Sequence, residues 1–138
     1  MHVRLSILAI VAICSAALGC STSPEALQES GSAARAEKNY SENYQEIYRR
    51  VAGGANRCST ANMSAYSSFK VDAQLYNELG FGEVNLSLQN FGTHNYYWQA
   101  RIEKSGSGSK LKVVSGNSLG KGIALAQVVR WADGGQGC

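Results

Sequence analysis

From Phe69 to Val113 the chain alternates apolar and polar side chains, and this alternation limits the folds open to it more than any other feature. Phe69, Val71, Ala73 and Leu75 alternate with Lys70, Asp72 and Gln74, and Val84, Leu86 and Leu88 alternate with Glu83, Asn85, Ser87 and Gln89. Trp98, Ala100 and Ile102 alternate with Gln99, Arg101 and Glu103 in a third run, and Leu111 and Val113 with Lys110 and Lys112 in a fourth. A period of two sends successive side chains to opposite sides of a strand, so each run has one apolar and one polar face. Gly80-Phe81-Gly82 connects the first two runs, Phe91-Gly92-Thr93-His94-Asn95 the middle two, and Ser105-Gly106-Ser107-Gly108-Ser109 the last two. Such short, turn-rich connections predict an antiparallel sheet with a single apolar face to be covered.

Helical patterns flank the strands. Asn39 reads as an N-cap with Glu42 three residues on, and Tyr40, Tyr44, Ile47, Tyr48 and Val51 form one apolar stripe as far as Ala52, where Gly53-Gly54 ends the helix. A second helix spans Leu119 to Ala132, capped by Asn117 or Ser118, with Leu125, Val128, Val129 and Ala132 as its stripe and Gly134-Gly135 as its stop. The expected fold is α+β: a four-stranded antiparallel sheet with an N-terminal and a C-terminal helix packed on one face, a two-layer sandwich in the order α-β-β-β-β-α.

Ahead of this domain, Arg4 precedes an apolar run from Leu5 to Leu18 that closes on Ala17-Leu18-Gly19-Cys20. A positive start, an apolar stretch too short for a bilayer span of roughly 20 residues and small residues at its end make an export signal. The cysteine after the small residue resembles the lipobox of bacterial lipoproteins. That resemblance implies a signal peptide over 1–19, cleavage before Cys20, and acylation of Cys20 on its sulfur and its new amine; a secreted protein with a free Cys20 is the alternative. Ser21 in place of Asp implies an outer-membrane destination facing the periplasm. Residues 20–38, rich in Ser, Ala, Glu and Gly, then read as a lipidated flexible tether reaching roughly 20 to 25 Å. Residues 39–138 form the periplasmic domain.

The whole chain carries a formal charge of +3, and loss of Arg4 with the signal leaves +2. Basic residues are scattered rather than striped, so no nucleic-acid partner is expected. Of the 4 cysteines, Cys14 leaves with the signal and Cys20 carries lipid. The pair that remains, Cys58 and Cys138, is expected to form one disulfide in an oxidising periplasm; a redox pair or metal thiolates would call for a Cys-x-x-Cys or a neighbouring histidine.

Catalytic motifs are weak. Gly116-Asn117-Ser118-Leu119-Gly120-Lys121-Gly122 superficially resembles a phosphate-binding loop, but only three residues separate its glycines and Gly122 stands where a Mg²⁺-binding hydroxyl belongs. His94 is the one histidine after the signal, so neither a histidine metal cage nor a supported triad can be assembled. No enzyme activity, cofactor or metal is expected. The densest aromatic patch is Phe91, His94, Tyr96, Tyr97 and Trp98; with Trp98 in the core and Tyr97 on the opposite sheet face, Phe91, His94 and Tyr97 are the candidate partner surface.

Tyr44-Gln45-Glu46-Ile47-Tyr48-Arg49-Arg50, Cys58, and Trp131-Ala132-Asp133-Gly134 before a terminal Cys138 resemble a group of small proteobacterial lipoproteins of unassigned function. The resemblance implies a location and brings no catalytic residues. The expected function is a non-catalytic interaction or assembly-accessory module of the cell envelope, attached to membrane lipid through acylated Cys20 and meeting an envelope protein partner. The alternative is a small-molecule or lipid carrier that binds in a cavity between sheet and helices.

Overall fold

The computed structural model describes residues 21–60, 62–116 and 120–138. The segment expected to be a signal peptide, Cys20 and the expected caps Asn117 and Ser118 lie outside the described residues. In chain order the elements are α1 (Pro24–Glu29), β1 (Ala34–Tyr40), α2 (Tyr44–Ser59), β2 (Asn62–Ser64), β3 (Ser67–Tyr76), β4 (Phe81–Asn90), β5 (Thr93–Ser105), β6 (Gly108–Ser115) and α3 (Lys121–Ala132). The strands make one antiparallel half-barrel in the order β1-β6-β5-β4-β3-β2, with α2 and α3 on its apolar face. The chain is α+β, but the expected four-stranded sheet flanked by two helices is incorrect. The four alternating runs are β3 to β6, and two edge strands and a third helix are added.

Those additions come from the stretch expected to be a tether. Ser23 caps α1 by accepting from Ala26 N–H, and Leu27 of this short helix is fully buried. Residues 34–40 pair with β6 from Ala34↔Ser115 to Tyr40↔Ser109. Their polar composition hid a strand whose backbone hydrogen bonds come from its neighbour. As an edge, β1 presents Arg35, Glu37 and Lys38, charges that discourage pairing with another chain. Tyr40, expected on the first helix, ends this strand.

The helix that follows therefore begins later and runs further than its glycines suggested. Asn43 is the N-cap, accepting from Gln45 N–H at 2.8 Å, and α2 continues through Gly53-Gly54 to Ser59. Each glycine costs about 1 kcal/mol of helix propensity. Ile47, Val51 and Ala55 are fully buried, and side chains the size of Ile and Val contribute roughly 1.5 to 3 kcal/mol each, so packing outweighs the two glycines. Gly54 also has a positive use: a Cβ there would collide with the Trp131 ring.

The core lies between the α2–α3 layer and the sheet, with Val84, Trp98, Ala100, Ile102, Leu111 and Val113 beneath Ile47, Val51, Val128 and Trp131. Helix α3 starts at Lys121 with Gly120 as N-cap and no side-chain cap. It ends in a Schellman turn, where Gly134 (φ +94) donates to Trp131 O and Gly135 to Arg130 O. The last residues then fold back along the helix, and Gln127, Arg130 and Trp131 all donate to Gly137 O. Cys138 thereby reaches Cys58 and bonds it, with S–S 2.06 Å across 80 residues of sequence. The bridge joins the end of α2 to this returning tail. At that other end, Lys38 and Tyr40 of β1 hold Asp133 at 2.7 and 2.9 Å. Among the described residues, no helix is long and apolar enough to cross a membrane.

Candidate functional site

A β-bulge determines what the aromatic patch can do. Leu86 pairs with Trp98 and the next residue, Ser87, pairs with Tyr96, so Tyr97 is an extra residue in β5. Strict alternation would send Tyr97 to the face opposite Trp98. The bulge instead turns it to the helix side, where its ring meets Phe69 edge-on at 5.2 Å. Two consecutive aromatic residues thus share the inner face, and the expected assignment of Tyr97 to the outer one is corrected.

Their side chains line an apolar cleft of about 460 Å³ between the sheet and the N-terminal half of α3. Phe69, Leu86 and Tyr97 form its floor, Trp98 and Trp131 its base with ring centroids 6.3 Å apart, and Ile123 its rim, with the Cys58–Cys138 bridge at one side. The opening has a simple origin in the sequence of α3. Of its first turns, Ile123, Ala124 and Gln127 line the cleft, and the short side chain of Ala124 leaves the space above Phe69 and Tyr97 open. Further along, Val128 and Trp131 seal the sandwich.

The other members of the expected partner surface lie elsewhere. Phe91 occupies the two-residue β4–β5 turn and stacks on Tyr66 of the β2–β3 turn, with ring centroids 5.3 Å apart and an interplanar angle of 12°. His94 faces outward with Tyr96, and its Nδ1 lies 3.5 Å from Ser87 Oγ. Among the described residues, no carboxylate is hydrogen-bonded to the His94 ring, so the orienting acid of a triad is not in place. Phe91, His94 and Tyr97 therefore do not form one surface.

The outer face of the sheet is polar and internally paired. Arg101 bonds Glu83 at 2.6 Å and Glu103 at 2.7 Å, Lys112 bonds Glu103 at 2.8 Å, and the Arg101 guanidinium lies 3.7 Å from the centre of the Phe81 ring. The Lys112 hydrogen bond, followed by that of Arg101, holds the Glu103 carboxyl below the usual range. A second cleft, of about 400 Å³, opens among these charges beside α1. Of its cations, Arg101 and Lys112 pair with Glu103, whereas Arg35 donates to the backbone carbonyls of Gln28, Ser30 and Ala33. Among the described residues, no group of three His, Cys, Asp or Glu side chains is placed to hold a metal ion.

No protein-family model matches this chain, and none of the curated proteins is similar to it in sequence. Among solved structures it is similar to DynU16, a protein of the dynemicin biosynthetic locus, at 12% identity and a TM-score of 0.46 over 75% of this chain. This chain spans 47% of the length of DynU16. It is also similar to protein CV1439 from Chromobacterium violaceum, at 11% identity and a TM-score of 0.39, over 77% of this chain and 99% of that one.

Proposed function

We propose that this chain is a lipid-anchored envelope protein whose domain carries a small apolar ligand in the cleft between α3 and the sheet. The observation that supports the reading is the cleft itself, aromatic on floor and base, within the 300 to 1,000 Å³ range of small-molecule sites. Water in such a space meets few polar partners, so an apolar guest gains the full benefit of leaving solvent. The ligand class that fits is an acyl chain or a flat hydrocarbon ring system. Such a ligand would lie against Tyr97 and Phe69 and be retained by the side chains of α3. The lining of aromatic and aliphatic side chains beside Ser59 and Gln127 suits carriage of an apolar guest. The lipid anchor in this reading comes from the lipobox-like segment ending at Cys20.

Native mass spectrometry of protein extracted gently from membranes tests the proposal. A bound apolar mass is expected, and it should disappear in Ala124→Phe, whose ring fills the cleft, while the variant melts no lower than wild type. Bare wild-type protein in repeated preparations, together with no change in Trp98 and Trp131 emission on titration with a long-chain fatty acid, would refute it.

A further inference from the structure

We infer that the end of the sheet bearing Phe91 faces the bilayer, and that Tyr66, Phe91 and Met63 insert at the boundary between lipid headgroups and acyl chains, so that the ligand cleft opens beside the membrane. The inference rests on the lipid-anchored carrier reading and adds to it an orientation and a docking surface.

The position of the first described residue supplies the geometry. Ser21 is bridged to β5, its carbonyl accepting from Tyr96 N–H at 2.8 Å. Tyr96 lies five residues beyond Phe91, which at about 3.4 Å per strand residue is within roughly 17 Å of the turn. Cys20 is one peptide further, a Cα step of about 3.8 Å. Acyl chains on Cys20 thus draw this end of the half-barrel to the lipid. A flexible tether would have left the orientation free, but the chain after Cys20 is built into the domain.

The surface at that end suits the partner that the anchor brings. Met63, Tyr66, Phe91 and Ile123 are 63%, 68%, 78% and 75% exposed, and among the described residues only one other exposed large apolar side chain, Leu79 at 70%, lies at the opposite end. Ile123 is on the rim of the cleft, and Lys70 flanks the Tyr66–Phe91 pair with a cation for lipid phosphates. Tyrosine rings favour the membrane interface because an apolar body and a polar tip can each find their own medium there.

Backbone conformation adds an independent argument. Phe91 and Gly92 both lie in the left-handed region, at φ +47 and +81, as a two-residue turn of this type requires. Asn or Gly serves there at little conformational cost. A bulky side chain is poorly suited to the first position, and one exposed to water gains nothing from burial. The stack on Tyr66 returns only part of that cost to a ring that is 78% exposed, and insertion into lipid accounts for the rest.

The test uses the full-length acylated protein in vesicles of phosphatidylethanolamine and phosphatidylglycerol with brominated acyl chains. Buried Trp98 and Trp131 provide a common background for F91W and L79W, which report on opposite ends of the sheet. After subtraction of the wild-type emission, the F91W signal should fall at least twofold relative to vesicles of unbrominated lipid, with that of L79W unchanged. Equal quenching in both variants, or none in F91W, overturns the orientation, and photocrosslinks from position 91 to an envelope protein in place of lipid would overturn it by assigning the tip to that partner. Phe91→Asn separates docking from folding: it should melt at or above wild type yet lose the vesicle-dependent protection from deuterium exchange expected around residues 89–95. A variant that melts lower and keeps that protection would make Phe91 a structural residue and overturn the proposal. Failure of ligand binding in wild type with F91W still quenched removes the carrier reading alone, whereas protein with no acyl mass on Cys20 removes the anchor and the orientation together.

Discussion

Single side chains in this protein act mainly at the contacts between its layers. Gly54 lets the Trp131 ring lie flat on α2, and Gly54→Ala should cost about 1 to 3 kcal/mol by overpacking, measured by urea unfolding. The same substitution at Gly53, where a Cβ meets open space, should be neutral or stabilising. Asp133 links the β1 edge to α3. Hydrogen bonding to Lys38, and then to Tyr40, holds its carboxyl below the usual aspartate value, while burial, and then Asp133 itself, keeps the Tyr40 hydroxyl protonated well above the usual tyrosine range. A depressed folded value means that the stabilisation is complete above the unfolded value of about 3.9 and is lost as pH falls through the folded one. Asp133→Asn should therefore destabilise by about 0.5 to 1 kcal/mol at neutral pH, since both partners are partly exposed, and the gap to wild type should close below about pH 4 in pH-dependent melting. An undiminished gap at pH 3 would mean that the side chain acts through shape rather than charge.

At the level of elements, the disulfide and the bulge matter most. The Cys58–Cys138 bridge holds the returning tail against α2 and closes one wall of the cleft. By the chain-entropy estimate for a loop of about 80 residues it contributes on the order of 4 kcal/mol. A Cys58→Ser, Cys138→Ser double variant should melt well below wild type in oxidising buffer and match it under reductant; equal melting in both conditions would remove the bridge as a source of stability. The bulge in β5 shapes the proposed ligand site as the bridge stabilises the fold. Without it Tyr97 would point outward, and the cleft would lose one of the three side chains of its floor. Deleting Tyr97, which restores regular pairing between β4 and β5, should abolish fatty-acid binding even where circular dichroism shows the sheet intact.

Across the whole molecule, the proposed ligand site lies in the same α3–sheet interface that holds the core together. A ligand that binds only the folded state stabilises it by about 2.7 kcal/mol at one hundred times its dissociation constant, so thermal midpoints should rise with fatty-acid concentration in wild type and stay flat in Ala124→Phe. A rise of equal size in both would place the ligand outside the cleft. The segment 21–40 also belongs to this scale. Through Leu27, the β1–β6 ladder and the Ser21–Tyr96 bridge it ties the start of the domain to its far side. An interaction surface drawn from a contiguous run of aromatic residues misses this arrangement, because neighbours in sequence end on different faces.

The residues alone determined the four central strands, the apolar stripes of two helices and the pairing of Cys58 with Cys138 as the expected disulfide. Each of these is written in a local period or in a count, and needs no knowledge of distant neighbours. Tertiary structure decided the rest. Residues 34–40 are a strand because β6 supplies their partners, α2 crosses two glycines because its buried face outweighs their cost, and Tyr97 turns inward because one extra residue breaks the alternation. The cleft likewise depends on how the short side chain of Ala124 in α3 lies over the large ones of β3 and β5, segments distant in the chain. Local periodicity specifies which face of an element is apolar, whereas only packing specifies what covers that face and where it is left open.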